Sequence, residues 1–283
     1  MKTNSYKSPH FPECKIYTMP QRSPEWHEMR SDKLTASQVG AWLAERPACR
    51  LTIPEIKAGL NELGVKYKGN AKRDELLALL YDAGGHLPTS HLQSTIQARH
   101  TAICKILGAI SGCEVPDQWE VDPDGPPPRN PAMWAIWNGI RMEDEAVEAF
   151  EKWSGETIET VGFCLHESGV AGCSPDGLLA GKRIGFEGKA PLPATHVNYV
   201  LNRQALIDQY GDQCHFSMAV TGAEAWWLQS YCRGLPAARV LIERDEYTER
   251  MALGIEEFAE YLTSAKMEIA ALWDAEFEGR VTA

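Results

Sequence analysis

Apolar residues recur along this chain at two spacings. Ile56, Leu60 and Leu63 are spaced for one face of a helix, and so are Ala146, Val147 and Phe150. The same period runs through residues 194–220 and again through 246–273. Alternating or short apolar runs predict strands across 157–190, and at "AEAWWLQSYC" and "ARVLIERD". Ser23-Pro24 is a helix-entry signal, and a second helix is expected near "TASQVGAWL", capped by Thr35 or Ser37. A further helix is expected near 92–110, followed by the Pro/Gly-rich loop "PDQWEVDPDGPPPRNP". "AMWAIWNGIRMEDEAVEAFEKWSG" reads as one long helix closed by Gly155. Helices, then a strand hairpin, a helix, two strands and a helix predict an α/β core with a mixed central sheet flanked by helices.

Residues 51–85 stand apart as a helix–extension–helix unit. Thr52 and Pro54 open its first helix, Gly64 closes it, "VKYKG" links, and "AKRDELLALL" forms the second. The pattern resembles the SAP family of small DNA-binding helical modules. The expected division is a core of 1–45 with 88–283 and an all-α insert at 46–87. The insert holds seven basic residues against five acidic ones, whereas the whole chain carries a net charge of −11. The alternative for it is a packing hairpin with a solvated basic face.

That acidic total argues against a nucleic-acid coat protein and demands that any DNA contact be local. No apolar run is long enough to span a membrane, and the N-terminus lacks the apolar centre of a signal peptide, so the expected location is the cytoplasm. Eight scattered cysteines form no C-x-x-C pair, which disfavours a zinc ribbon or an iron–sulfur cluster.

The chemistry concentrates in "CSPDGLLAGKRIGFEGKAP". Strand alternation puts Glu187 and Lys189 on one face, with Ile184 and Phe186 on the other. A hairpin can bring Asp176 opposite Glu187. Two adjacent carboxylates are costly without a cation between them, and hard oxygen ligands suit Mg²⁺ or Mn²⁺. A lysine beside them can orient or deprotonate water, or stabilise charge on a phosphate, as metal-assisted phosphodiester hydrolysis requires. Glu143 falls on the apolar stripe of its helix, where a buried carboxylate calls for a metal or a base. The alternatives are a surface Glu–Lys strand, and a Glu143 at the stripe's edge reaching solvent.

Taken in order, W-x-x-x-R (Trp26, Arg30), T-A-S (Thr35 to Ser37), G-x-x-x-E (Gly139, Glu143), S-P-D-G (Ser174 to Gly177), E-x-K (Glu187, Lys189) and a Gln-bearing helix (Gln213) resemble lambda exonuclease and the YqaJ-type viral recombinases, within the PD-(D/E)xK nucleases. The resemblance implies a restriction-endonuclease-like core and a Mg²⁺-dependent 5′→3′ exonuclease on linear duplex DNA that leaves 3′ tails. It implies Mn²⁺ as a tolerated substitute, a homotrimeric ring and a single-strand annealing protein as partner. Asp176, Glu187, the Gly188 carbonyl and Glu143 would hold metal, and Lys189 would handle the water. Arg30, Thr35, Ser37 and Ser174 would meet the terminal 5′ phosphate. Gln213 would lie beside the catalytic centre, and Ile136 would wedge between terminal base pairs. The chain departs from the pattern in the small Gly188 and in the insert, which is expected to grip incoming duplex. The competing readings are a PD-(D/E)xK endonuclease of restriction or junction-cutting type, and a DNA-binding scaffold with a silent nuclease fold.

Overall fold

The computed structural model describes residues 4–36, 53–83, 122 and 124–281. The chain divides into two compact units, Met1–Val39 with Ile106–Ala283, and Gly40–Lys105.

In the larger unit the strands form two five-stranded sheets rather than one central sheet. The first contains β1 (Ser5–Ser8), β2 (Phe11–Tyr17), β3 (Leu34–Thr35), β5 (Phe163–His166) and β6 (Ala171–Cys173), in the order β1-β2-β5-β6-β3. The second contains β4 (Ile158–Glu159), β7 (Gly177–Leu179), β8 (Ile184–Lys189), β9 (Ala225–Ser230) and β10 (Ala238–Glu243), in the order β10-β9-β8-β7-β4. Each sheet is mixed, with one parallel pair: β3 with β6, and β8 with β9. The segment Ser174 to Asp176 carries the chain from β6 into β7, and so from one sheet to the other.

Two helices sandwich the second sheet. Phe186 and Trp227 are partners in the parallel register, so their side chains share a face. Phe150 of α5 (Glu143–Ser154) packs on that face, with ring centroids 4.8 Å from Phe186 and 5.6 Å from Trp227. Glu187 and Leu228, one position on, face the opposite way, toward α7 (Arg203–Thr221). This helix also packs against β2, β5 and β6, so it is covered on two sides. Its residues Cys214 to Thr221 are all buried, as expected of a helix held between two sheets. Buried Gln229 secures α5 from behind, donating to the Ala146 carbonyl at 2.7 Å while Arg239 donates to its oxygen at 2.7 Å.

Local chemistry accounts for the element ends. Ser23 accepts from Trp26 N at 3.2 Å, and Pro24 begins α1 (Pro24–Ser31). The expected long helix is broken into α4 (Pro131–Arg141) and α5. At Met142 one N–H is shared between the Asn138 and Gly139 carbonyls at 3.1 and 3.3 Å, which tightens the turn there. Gly155, at φ 74°, closes α5. The pattern over 194–220 likewise splits into α6 (Pro193–Leu201) and α7, because Asn202 is extended. β1 and β2 were not expected from the sequence, and Thr35 ends β3. α8 (Glu246–Val281) closes the chain.

In the smaller unit, α2 (Ile53–Glu62) and α3 (Arg73–Asp82) bury Ile56, Leu60, Leu76 and Leu80 against one another. Gly64, at φ 68°, lets the Val65 N–H return to the Leu60 carbonyl at 2.8 Å. Leu63, expected on the inner face, lies within that turn and is 43% exposed. The expected helices near "TASQVGAWL" and 92–110, and the caps Ser37 and Thr52, lie outside the described residues. Among the described residues, no helix is long and apolar enough to cross a membrane.

Phe150 is fully buried at the centre of the Phe186–Trp227 cluster. Phe150→Ala is therefore expected to cost about 3–5 kcal/mol in chemical denaturation, because the aromatic packing disappears and a cavity stays unfilled.

Candidate active site

The alternation of β8 builds the site. Phe186 seals against α5, and Glu187 turns to the other face, where it is 3% exposed. Gln213 of α7 donates to Glu187 Oε1 at 2.7 Å. The Lys189 ammonium binds the same oxygen and stands 5.1 Å from the Tyr210 ring centroid. Gly177 pairs with Phe186 in the antiparallel register, and extending that register by one residue brings Asp176 level with Glu187. Asp176 Oδ2 accepts the Gly188 N–H at 2.7 Å.

The buried Glu187 and the half-buried Asp176 thus stand together at the crossing between the sheets. Burial first, and then the charge of Glu187, hold the Asp176 carboxyl well above its ordinary range, and Glu143 adds to the effect. Lys189 and the Gly188 N–H pull the other way without reversing it. Burial disfavours the charged form of Lys189, but Glu187 and Asp176 outweigh it and raise its pKa. Lys189 is therefore a cation at neutral pH, a donor rather than a base.

Glu143 occupies the first turn of α5. The stripe below it is buried at Ala146 and Phe150, but Glu143 itself lies at the edge, its side chain 26% exposed. Its Oε2 pairs with Arg22 Nη2 at 2.7 Å. Among the described residues, no group of three or more His, Cys, Asp and Glu side chains is placed to hold a metal ion. The donor chemistry of the Asp176–Glu187 pair nevertheless fits a hard cation. Both groups are oxygen donors, Glu187 is buried and Asp176 half-buried, and their mutual repulsion is only partly offset by Lys189.

A second cluster adjoins the crossing. Ser174 Oγ accepts from Trp26 Nε1 at 2.9 Å and from Arg30 Nη1 at 2.8 Å. The guanidinium of Arg30 lies 4.2 Å from the Trp26 ring centroid. With both acceptor positions filled, the Ser174 hydroxyl has its own hydrogen left to donate. A serine O–H beside a guanidinium suits a phosphate oxygen. Thr35 is buried and pairs with Gly172. Ile136 projects from α4 with 37% exposure, while Asn138 of the same helix donates to the Ala190 carbonyl at 3.3 Å. Ser37 lies outside the described residues.

Sequence reasoning passed over Gln21. Its Nε2 donates to the carbonyls of Val161 at 3.1 Å and Pro175 at 2.9 Å, clamping the turn that holds Asp176. Tyr210 and Arg22 were missed as well. Arg22 carries no period or motif, and its signal is conformational: among the described residues it is the one non-glycine with positive φ, 66°.

Residues 118–224 match the model of the YqaJ-like viral recombinase domain. Among solved structures, LHK-Exo in complex with dAMP superposes with a TM-score of 0.53 at 22% identity, over 88% of this chain and 100% of that one. The structure of an alkaline exonuclease (LHK-Exo) from Laribacter hongkongensis gives 0.52 at 19% identity, over the same shares of 88% and 100%. At these identities the likeness is one of fold. None of the curated proteins matches this sequence.

Asp176 sets a pH-dependent stability. A carboxyl whose folded pKa is raised keeps its proton longer in the folded state, so its ionisation destabilises the fold as pH rises above the unfolded value. Asp176→Asn in EDTA is expected to melt with wild type near pH 4 and above it at neutral pH, by roughly 2–4 °C if the gain is about 1 kcal/mol. Added Mg²⁺ should narrow that gap by stabilising only wild type. A variant less stable than wild type at neutral pH would contradict this account.

Proposed function

We propose that this chain, which carries a YqaJ-like viral recombinase domain on the fold of the alkaline exonucleases, is a metal-dependent 5′→3′ exonuclease on linear double-stranded DNA, leaving 3′ single-stranded tails for phage-type recombination. The observation that carries this reading is the juxtaposition of the Asp176, Glu187 and Lys189 constellation with the Ser174–Arg30 pair, joined by the short crossing between sheets that holds both Ser174 and Asp176. Asp176 holds its carboxylate against Gly188 N–H, and Glu187 is oriented by Gln213 and Lys189. These two, with the Gly188 carbonyl and Glu143, would hold Mg²⁺, or Mn²⁺ in its place. When bound, the ion would supply Lewis-acid polarisation of the phosphate and acidification of a water. Lys189, kept protonated by its carboxylate neighbours, donates to the water or to a non-bridging phosphate oxygen.

Arg30 and Ser174 read the 5′-terminal phosphate, with Thr35 and Ser37 contributing as the motif implies, while Ile136 presses on the terminal base pair. The fold relative that binds dAMP, a nucleoside 5′-monophosphate, supports removal of single nucleotides. A ring-shaped homotrimer and a single-strand annealing protein complete the proposed setting. The core of 1–45 with 88–283 would carry the chemistry. The SAP-like module at 46–87 would hold incoming duplex through exposed Lys66, Lys68 and Lys72.

The test uses one duplex in three forms: linear with a 5′ phosphate, linear with a 5′ hydroxyl, and covalently closed. Wild type with Mg²⁺ is expected to consume only the linear forms, faster with the phosphate, and Asp176→Ala to consume none. Arg30→Ala should erase the preference for the phosphate. Cutting of the closed circle would replace this reading with an endonuclease. Binding without cutting would replace it with a scaffold.

Replacing Lys66, Lys68 and Lys72 together with Ala is expected to weaken binding to a long duplex. The salt dependence of log K should flatten by about 0.9 for each phosphate that the variant no longer neutralises. An unchanged slope would assign the module to protein contact instead.

A further inference from the structure

Arg22 adopts an unusual backbone. Its φ of 66° is a conformation that side chains disfavour and glycine adopts freely. The turn around it is fixed on both sides. Gln21 is anchored to the carbonyls of Val161 and Pro175, and the Ser23 N–H returns to the Pro20 carbonyl at 3.3 Å before Ser23 caps α1. The strained residue therefore hangs from the same clamp that holds the Asp176 turn, and it sends its guanidinium to Glu143 Oε2 at 2.7 Å. Glu143 is felt at Asp176, where its charge helps to raise the carboxyl. An ordinary surface ion pair would need neither the strain nor the clamp.

Resting on the metal-centre reading above, we infer that Arg22 is a positioning residue that competes with the divalent cation for Glu143. With the guanidinium on its carboxylate, Glu143 stands outside any group of three that could hold a metal. To join Asp176 and Glu187 it must exchange one cation for another. Arg22 thus sets the concentration of divalent ion at which the third carboxylate becomes available, and it neutralises that carboxylate until then. Once released, the guanidinium is a half-exposed phosphate donor at the edge of the site, its side chain 42% exposed.

The experiment measures Mn²⁺ binding by titration calorimetry in the absence of DNA, so that it reads the exchange apart from catalysis. Arg22→Gly suits the backbone and is expected to fold at least as well as wild type. Arg22→Asn, which also tolerates positive φ, is the second variant. Both should bind Mn²⁺ about two- to five-fold more tightly, the range that a partly exposed ion pair supports. Both should also need less Mg²⁺ for half-maximal activity. On a Glu143→Gln background, Arg22→Gly should change Mn²⁺ affinity no further. Unchanged affinity in both folded variants would reduce Arg22 to a surface ion pair. Weaker affinity would make it a prop that presents Glu143, and either result overturns the competition. Wild type that binds no Mn²⁺ at all would overturn the metal centre itself, and the competition with it.

Discussion

The structure is organised around one electrostatic conflict, the half-buried Asp176 set beside the buried Glu187. Neither carboxylate can move away. Asp176 is tied to the Gly188 N–H, and Glu187 to Gln213 and Lys189. One ammonium faces two acids, so the pair is left under-compensated and the Asp176 carboxyl is held above its ordinary range. A fold selected only for stability would replace such a group with apolar side chains at little cost or at a gain. A perturbed acid of this kind marks a candidate functional group, and the proposed reading supplies its missing charge as a bound cation.

The surrounding architecture holds this conflict in place. The crossing from β6 to β7 passes between the two sheets, so Ser174 and Asp176, two residues apart, serve different clusters: one faces Arg30 and Trp26, the other Glu187. α7 is buried between the sheets and carries Gln213 and Tyr210 to the carboxylates. α5 closes the opposite face through Phe150 and delivers Glu143 at its first turn. Buried Gln229 and Arg239 hold that helix by its carbonyls, which fixes where its first turn falls. Packing therefore decides the chemistry, since a shift of α5 would carry Glu143 with it.

Much of this was legible in the chain. The period of two in "IGFEGK" places Glu187 and Lys189 on one face whatever the sheet does, and a proline before Asp176 marks the turn that brings it back. Ser23-Pro24 and Gly155 announce their helix ends through cap chemistry alone. What was not legible depends on tertiary partners. Helical spacing continues across Met142 and Asn202 without interruption, so the breaks there follow from shared hydrogen bonds and an extended backbone that periodicity does not encode. The same spacing assigned Glu143 to the buried stripe, yet a residue in the first turn of a helix can sit at the stripe's end and escape the core. The division into two sheets is a matter of pairing, not of propensity. Arg22 was invisible because a positive φ at arginine follows from the clamp around it and not from arginine itself.

The acidic character of the chain, −11 overall, then takes on a specific meaning. Two basic side chains at the carboxylates are already engaged, Lys189 by Glu187 and Arg22 by Glu143. Arg30 is turned into the Ser174–Trp26 cluster. Without divalent cations, the carboxylate end of the proposed site would offer a phosphate backbone repulsion, and attraction would come from the Arg30 cluster beside it. A doubly charged ion changes both terms at once. On the proposed reading it would offset the two acids, and by displacing Arg22 from Glu143 it would add a guanidinium to the phosphate-facing side. Binding of cation and binding of DNA should therefore favour each other by a common coupling free energy. On that reading an acidic protein would hold DNA locally, with affinity conditional on the ion that the proposed chemistry also requires.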